Sequence, residues 1–153
     1  MIHQLLTQFF DAYLVKRDLE SALGLLSDCV ISLGTGAQET ALDKAQLREL
    51  MRREFETLPG GFSYRLEHYR ENWHREDLCS VYCTVYTSMP DEGGVELTFQ
   101  TRLTMTAARI GEDWRIVNLH MSAPSDQQEG GEFFPIKYSR GAVGRLDAAA
   151  SRK

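Results

Sequence analysis

The stretch from Gly94 to Ser125, GVELTFQTRLTMTAARIGEDWRIVNLHMSAPS, constrains this chain more than any other. It reads as two long strands joined by a tight turn at Gly111-Glu112-Asp113. In the first strand Leu97, Phe99, Thr101, Leu103, Met105 and Ala107 fall on one face. Glu96, Thr98, Gln100, Arg102, Thr104 and Thr106 fall on the other, the period of two of a half-buried strand. The second strand sorts Trp114, Ile116, Asn118, His120 and Ser122 onto one face and Val117, Leu119 and Met121 onto its opposite. A face that mixes apolar bulk with an amide, an imidazole and a hydroxyl has the composition of a ligand pocket, and it is expected to line one.

Helices precede this hairpin. Ile2, Leu5, Leu6, Phe9, Phe10, Tyr13 and Leu14 recur at helical spacing, which predicts an amphipathic first helix. Asp18 is placed to cap a second, shorter one carrying Leu19, Ala22, Leu23, Leu25 and Leu26. Cys29 to Leu33 reads as a short strand ended by Gly34-Thr35-Gly36, whose glycines are too few and wrongly spaced for a nucleotide loop. Asp43, with Gln46 three residues on, opens a third helix with the stripe Leu47, Leu50, Met51, Phe55 and Leu58. Its charges, Glu54 among them, read as a solvated face, and Pro59-Gly60-Gly61 stops it. From Phe62 the period becomes two. Phe62, Tyr64, Leu66 and His68 alternate with Ser63, Arg65, Glu67 and Tyr69. A turn at His74–Asp77 leads to Leu78–Ser88, and Pro90–Gly94 makes the next connection.

At 153 residues with 42% hydrophobic and 25% charged residues, the chain has the length and balance of one globular domain. No apolar run approaches the roughly 20 residues that span a bilayer, and the helically spaced N-terminus lacks a basic n-region, so neither a membrane span nor a signal peptide is expected. A cytoplasmic protein is the expectation. Net charge is −5, and Lys137, Arg140, Arg145, Arg152 and Lys153 concentrate the positive charge in the tail. The acidic body argues against a nucleic-acid partner. Cys79 and Cys83, four residues apart on one strand, stand about 13 Å apart, beyond disulfide reach. All three cysteines are expected to be reduced, buried hydrophobes. His3, His68, His74 and His120 show no paired spacing with cysteine or carboxylates, so no metal and no cofactor is expected.

Three helices, a short strand between the second and third, then four long strands closed by W-R-I-V-N-L-H-M-S: this order resembles the nuclear transport factor 2-like superfamily, and its SnoaL-like domains above all, over Met1 to Ser125. The local motif is Trp114 followed on one strand face by Ile116, His120 and Ser122. The resemblance implies an α+β fold, a cone-shaped roll whose curved antiparallel sheet wraps around N-terminal helices and a pocket, with homodimers formed through the outer sheet face. It does not imply one function, because the superfamily holds isomerases, cyclases, dehydratases, transport and association domains and ligand-binding sensors. Ketosteroid isomerases use an aspartate base with a tyrosine and a protonated aspartic acid. Tyr13 matches the tyrosine, but Val95–Ser122 offers only the turn residue Asp113, and Val30–Leu42 has no aspartate. The polyketide cyclases depend on a pocket acid, for which the long strands offer Glu96 and Glu67. The histidine pair and aspartate of scytalone dehydratases would need His120 together with an inward-facing His68.

These residues lead to a homodimeric, non-catalytic small-molecule-binding or association domain over residues 1–125. Tyr13, Trp114, Asn118, His120, Ser122 and Arg102 are its expected ligand-binding residues, and the ligand is small and apolar, or anionic if Arg102 faces it. The alternative is a cofactor-independent isomerase, cyclase or dehydratase acting on a carbonyl or polyketide-like substrate, with His120 as base and Tyr13 polarising the oxygen. Residues 126–153 form a C-terminal extension. In it Phe133–Tyr138 is expected to pack back on the body or on a dimer partner, the alternative being a docking motif for another protein, and Gly141–Lys153 to stay mobile or at most to form a loosely held helix at Ala148–Ala150.

Overall fold

The computed structural model describes residues 1–91 and 93–124, so the expectations for 125–153, including Phe133–Tyr138, lie outside the described residues. The chain begins with helix α1 (Ile2–Phe10), which widens into a π-helical segment, Asp11–Lys16. Helix α2 (Leu19–Gly24), strand β1 (Leu26–Leu33), a two-residue strand β2 (Thr40–Ala41) and helix α3 (Lys44–Thr57) follow. Strands β3 (Ser63–Arg75), β4 (Leu78–Pro90), β5 (Glu96–Ile110) and β6 (Asp113–Ser122) complete the unit. No helix among the described residues is long and apolar enough to cross a membrane.

Local chemistry sets the element boundaries. The Asp18 carboxylate accepts from the Ser21 backbone N–H at 3.1 Å, and Asp43 accepts from Gln46 N–H at 2.8 Å, so both expected caps are in place. The Gln46 side chain reaches back one residue further than a capping box does, accepting from Leu42 N–H at 3.0 Å. Helix α1 has no side-chain cap of its own. Glu71 of β3 stands near its start, held by Tyr69 Oη at 2.7 Å and Trp73 Nε1 at 3.0 Å, and the Tyr69 hydroxyl bond keeps its carboxyl below the usual range.

The four long strands form a meander, and the sheet order is β2-β1-β6-β5-β4-β3. Every pair is antiparallel except β1–β6, which run parallel because β1 enters the sheet before the meander and docks on its last strand. The N-terminal helices pack on one face of this curved sheet. Phe10, Ile2 and Leu6 of α1 share a core with Val81 and Val85 of β4, Leu103 and Met105 of β5 and Ile116 of β6. Each such side chain contributes about 1.5–3 kcal/mol by leaving water.

Two bulges decide which side chains join that core. In β6, Thr106 of β5 pairs with Asn118 while its neighbour Ala107 pairs with Ile116, so Val117 is an extra residue. Before it, Trp114 and Ile116 face the helices; after it, Leu119 and Met121 do. Asn118, His120 and Ser122 sit opposite Thr106, Thr104 and Arg102 on the outer face. In β3, His68 and Tyr69 together occupy the space between Glu67 and Arg70, and His68 adopts a left-handed φ of 54°. The bulge turns Tyr69 inward, against the core, while His68 Nδ1 lies 3.4 Å from Thr84 Oγ1 on the outer side. Cys79 and Cys83 are buried, with burial pushing the Cys83 thiol up to about 11, whereas Cys29, expected inside, is exposed.

Candidate functional site

Between α1, α3 and the inner sheet face lies a cavity of about 360 Å³. Phe9, Phe10 and Leu14 form one wall, and Leu47, Leu50 and Met51 of α3 form the second. Thr101, Leu119 and Met121 make its floor. The volume lies within the range of small-molecule sites, and most of the lining is apolar. The polar groups converge at two places.

The first is built on the π-helical segment. Its wider turn ends at Arg17, which takes a left-handed φ of 54°, and Asp18 N–H reaches back to Ala12 O at 2.8 Å. π-Turns and left-handed non-glycine residues are backbone conformations that tend to occur where function requires a special geometry. Gly61 is part of the arrangement: a Cβ there would lie 2.3 Å from Val15 O, so only glycine lets the α3–β3 connection approach this closely. The segment aims Tyr13 at α3, where its hydroxyl donates to Glu54 Oε2 at 2.6 Å. Arg17 Nη2 stands 3.0 Å from Glu54 Oε1, and its side chain is only 6% exposed. The guanidinium also donates to Tyr13 O at 3.2 Å and Leu58 O at 2.9 Å, and lies 4.0 Å over the Phe55 ring. Phe9, Tyr13 and Phe55 stack in a row, with ring centroids 5.6 and 5.8 Å apart. Burial, and then the Glu54 carboxylate, hold the Tyr13 hydroxyl well above the ordinary tyrosine range. Its proton is committed to Glu54.

The second polar place is the β1–β2 hairpin. Gly34 N–H donates to Glu39 O at 2.7 Å, closing the turn that Gly34-Thr35-Gly36 opens. The Glu39 carboxylate folds back along it to accept from Gly36 N–H at 2.9 Å, at the edge of the cavity.

Of the six residues expected to bind ligand, Tyr13 alone lines this cavity. Trp114 is on the inner face but packs against Trp73, ring centroids 5.6 Å apart. Asn118, His120 and Ser122 were grouped with Ile116 on one face; the Val117 bulge puts them on the outer face instead, together with Arg102. His68 also points away, so no histidine lines the cavity. Among the described residues no three histidine, cysteine or carboxylate side chains come together as a metal site would need.

Glu54 was legible and went unread. On α3 it lies seven residues after Leu47, four after Leu50 and three after Met51, a stripe position that helical periodicity assigns to the core. A carboxylate there signals a buried partner. Glu39 and Arg17 carry no such signal, because hairpin and π-turn geometry place them.

A family model described as the SnoaL-like domain matches residues 2–126. No curated protein sequence matches the chain. Among solved structures, an NTF2-like protein of unknown function from Pseudomonas putida superposes with a TM-score of 0.72 at 18% identity, covering 88% of this chain and 92% of that one. A ketosteroid isomerase-like protein from Erwinia carotovora gives 0.67 at 16%, over 81% and 94%. The association domain of CaMKII from C. elegans gives 0.66 at 16%, over 80% and 92%. At these identities the likeness is one of fold.

Proposed function

We propose that this chain, which belongs to the SnoaL-like domain family, binds a small, mainly apolar molecule in the helix-covered cavity and works without catalysing a reaction. The observation that carries this reading is the cavity, about 360 Å³ and largely apolar, in which Tyr13 and Glu54 are already engaged with each other and with Arg17. Glu54 is neutralised by Arg17, and the Tyr13 hydroxyl keeps its proton and donates it in a hydrogen bond to Glu54. The proton-transfer alternative drew on His120 and Tyr13, and neither offers a free acid or base to this space. The anionic ligand drew on Arg102, which is on the opposite face, and this supports the apolar one.

The test uses the neutral fluorophore N-phenyl-1-naphthylamine. Saturable binding with enhanced emission is expected for the wild type. Met121→Trp, which fills the cavity from its floor, should abolish it while leaving the far-ultraviolet circular dichroism spectrum unchanged. Equal binding by both proteins would place the fluorophore elsewhere and sink the reading.

Homodimerisation is the second part of the proposal. The outer sheet face exposes Ile31, Leu33 and Tyr82 among Thr104, Arg102 and His120. A second copy related by a two-fold axis would cover this face. The resemblance to a CaMKII association domain supports an associating role for the fold. Light scattering at low micromolar concentration is expected to give twice the chain mass, and Tyr82→Asp to give the single chain. A wild-type protein with the mass of one chain would overturn the dimer.

A further inference from the structure

Resting on the cavity's reading as a ligand pocket, we propose that its occupant is a lipophilic amine, with its apolar body between α1 and α3 and its protonated nitrogen beside Glu39. Among the described residues the charged side chains lining the cavity are Glu39 and Glu54, and no lysine, arginine or histidine lines it. Arg17 pairs with Glu54 at 3.0 Å from behind the wall. Glu39 forms no ion pair among the described residues; its carboxylate accepts one backbone N–H, from Gly36 at 2.9 Å. Among the described residues, therefore, the cavity carries one uncompensated negative charge, exposed at its edge.

The backbone holds that charge in place. Gly34 N–H donates to Glu39 O and Glu39 N–H to Gly36 O, at 2.7 and 3.0 Å. A Cβ on Gly34 would come within 2.2 Å of Glu39 Oε2, so the carboxylate occupies the space a side chain would otherwise fill. The rest of the lining, Phe9, Phe10, Leu47, Leu50 and Met51 among it, is apolar and takes the ligand's stem. A carboxylate ligand would meet Glu39 with like charge. A neutral ligand would gain the apolar burial alone. An amine on an apolar stem gains burial and the ion pair together.

Calorimetry at pH 7 with 2-phenylethylamine, 2-phenylethanol and 3-phenylpropanoate tests the class, since the three share a phenyl stem and differ in charge. Because Glu39 is exposed, the amine is expected to bind about three- to fivefold tighter than the alcohol, and the carboxylate more weakly than either. Glu39→Gln should bring the amine down to the affinity of the alcohol and leave the alcohol unchanged. Equal affinity for amine and alcohol, preference for the carboxylate, or an amine preference that survives Glu39→Gln would each overturn the proposal. If none of the three binds while N-phenyl-1-naphthylamine does, the amine class fails and the pocket stands. If the fluorophore also fails to bind, the pocket reading itself falls, and the amine proposal with it.

Discussion

Leu119→Asp is expected to destabilise the protein by about 3–5 kcal/mol, while His120→Ala next to it changes stability by about 0.5 kcal/mol or less. The contrast follows from the bulge at Val117. Leu119 is buried on the inner face, opposite Met105, and forms part of the cavity floor. An aspartate there would have no cation to pair with among the described lining residues, whose charged groups are the carboxylates of Glu39 and Glu54. His120 is exposed opposite Thr104 and loses only surface contacts. Urea unfolding at two protein concentrations measures both variants and separates any contribution from association, which alone depends on concentration. A larger loss for His120→Ala than for Leu119→Asp would reverse the face assignment of β6 and return the imidazole to the pocket.

Glu54→Leu is expected to cost about 3 kcal/mol, and adding Arg17→Met should recover most of it. The single substitution leaves a guanidinium that is only 6% exposed with two carbonyls and a ring for company, and it strips the Tyr13 hydroxyl of its acceptor. The expected loss stays at the lower end for a broken ion pair because Glu54 keeps 35% of its side chain in contact with solvent. The double variant removes both charges and replaces them with apolar volume, which buried ion pairs tolerate well. A double-mutant cycle should therefore give a coupling energy of about 2 kcal/mol. Additive effects would mean that the pair does not hold this wall, and that Tyr13 is positioned by its stacking between Phe9 and Phe55 alone.

The elements themselves were legible because each rests on short-range chemistry. Helical spacing marked α1 and α3, Asp18 and Asp43 marked where helices begin, and Gly111 marked the β5–β6 turn, where its φ is +64°. The grouping of Leu103, Met105 and Ala107 on one face of β5 holds because that strand pairs along its whole length with β4 without interruption; that this face turns inward only the fold decided. Strand β2 escaped because two residues carry no period. The inner residues of β6 were half legible. Trp114 and Ile116 keep one phase and Leu119 and Met121 the other, and the adjacent Ile116-Val117 pair is where the phase changes.

By itself the sequence determined the element order, the fold family and most of the core, because periodicity, caps and turns act within a few residues. Tertiary structure alone decided the site. A bulge adds one residue and exchanges the faces of everything beyond it, so His120 left the pocket without any change in its own neighbours. The carboxylates entered for the converse reason. Glu54 is neutralised by Arg17, 37 positions away in sequence, and Glu39 reaches the cavity only because β1 and β2 pair back to back across a glycine turn. Such placements depend on where separate segments meet, and no local pattern encodes that.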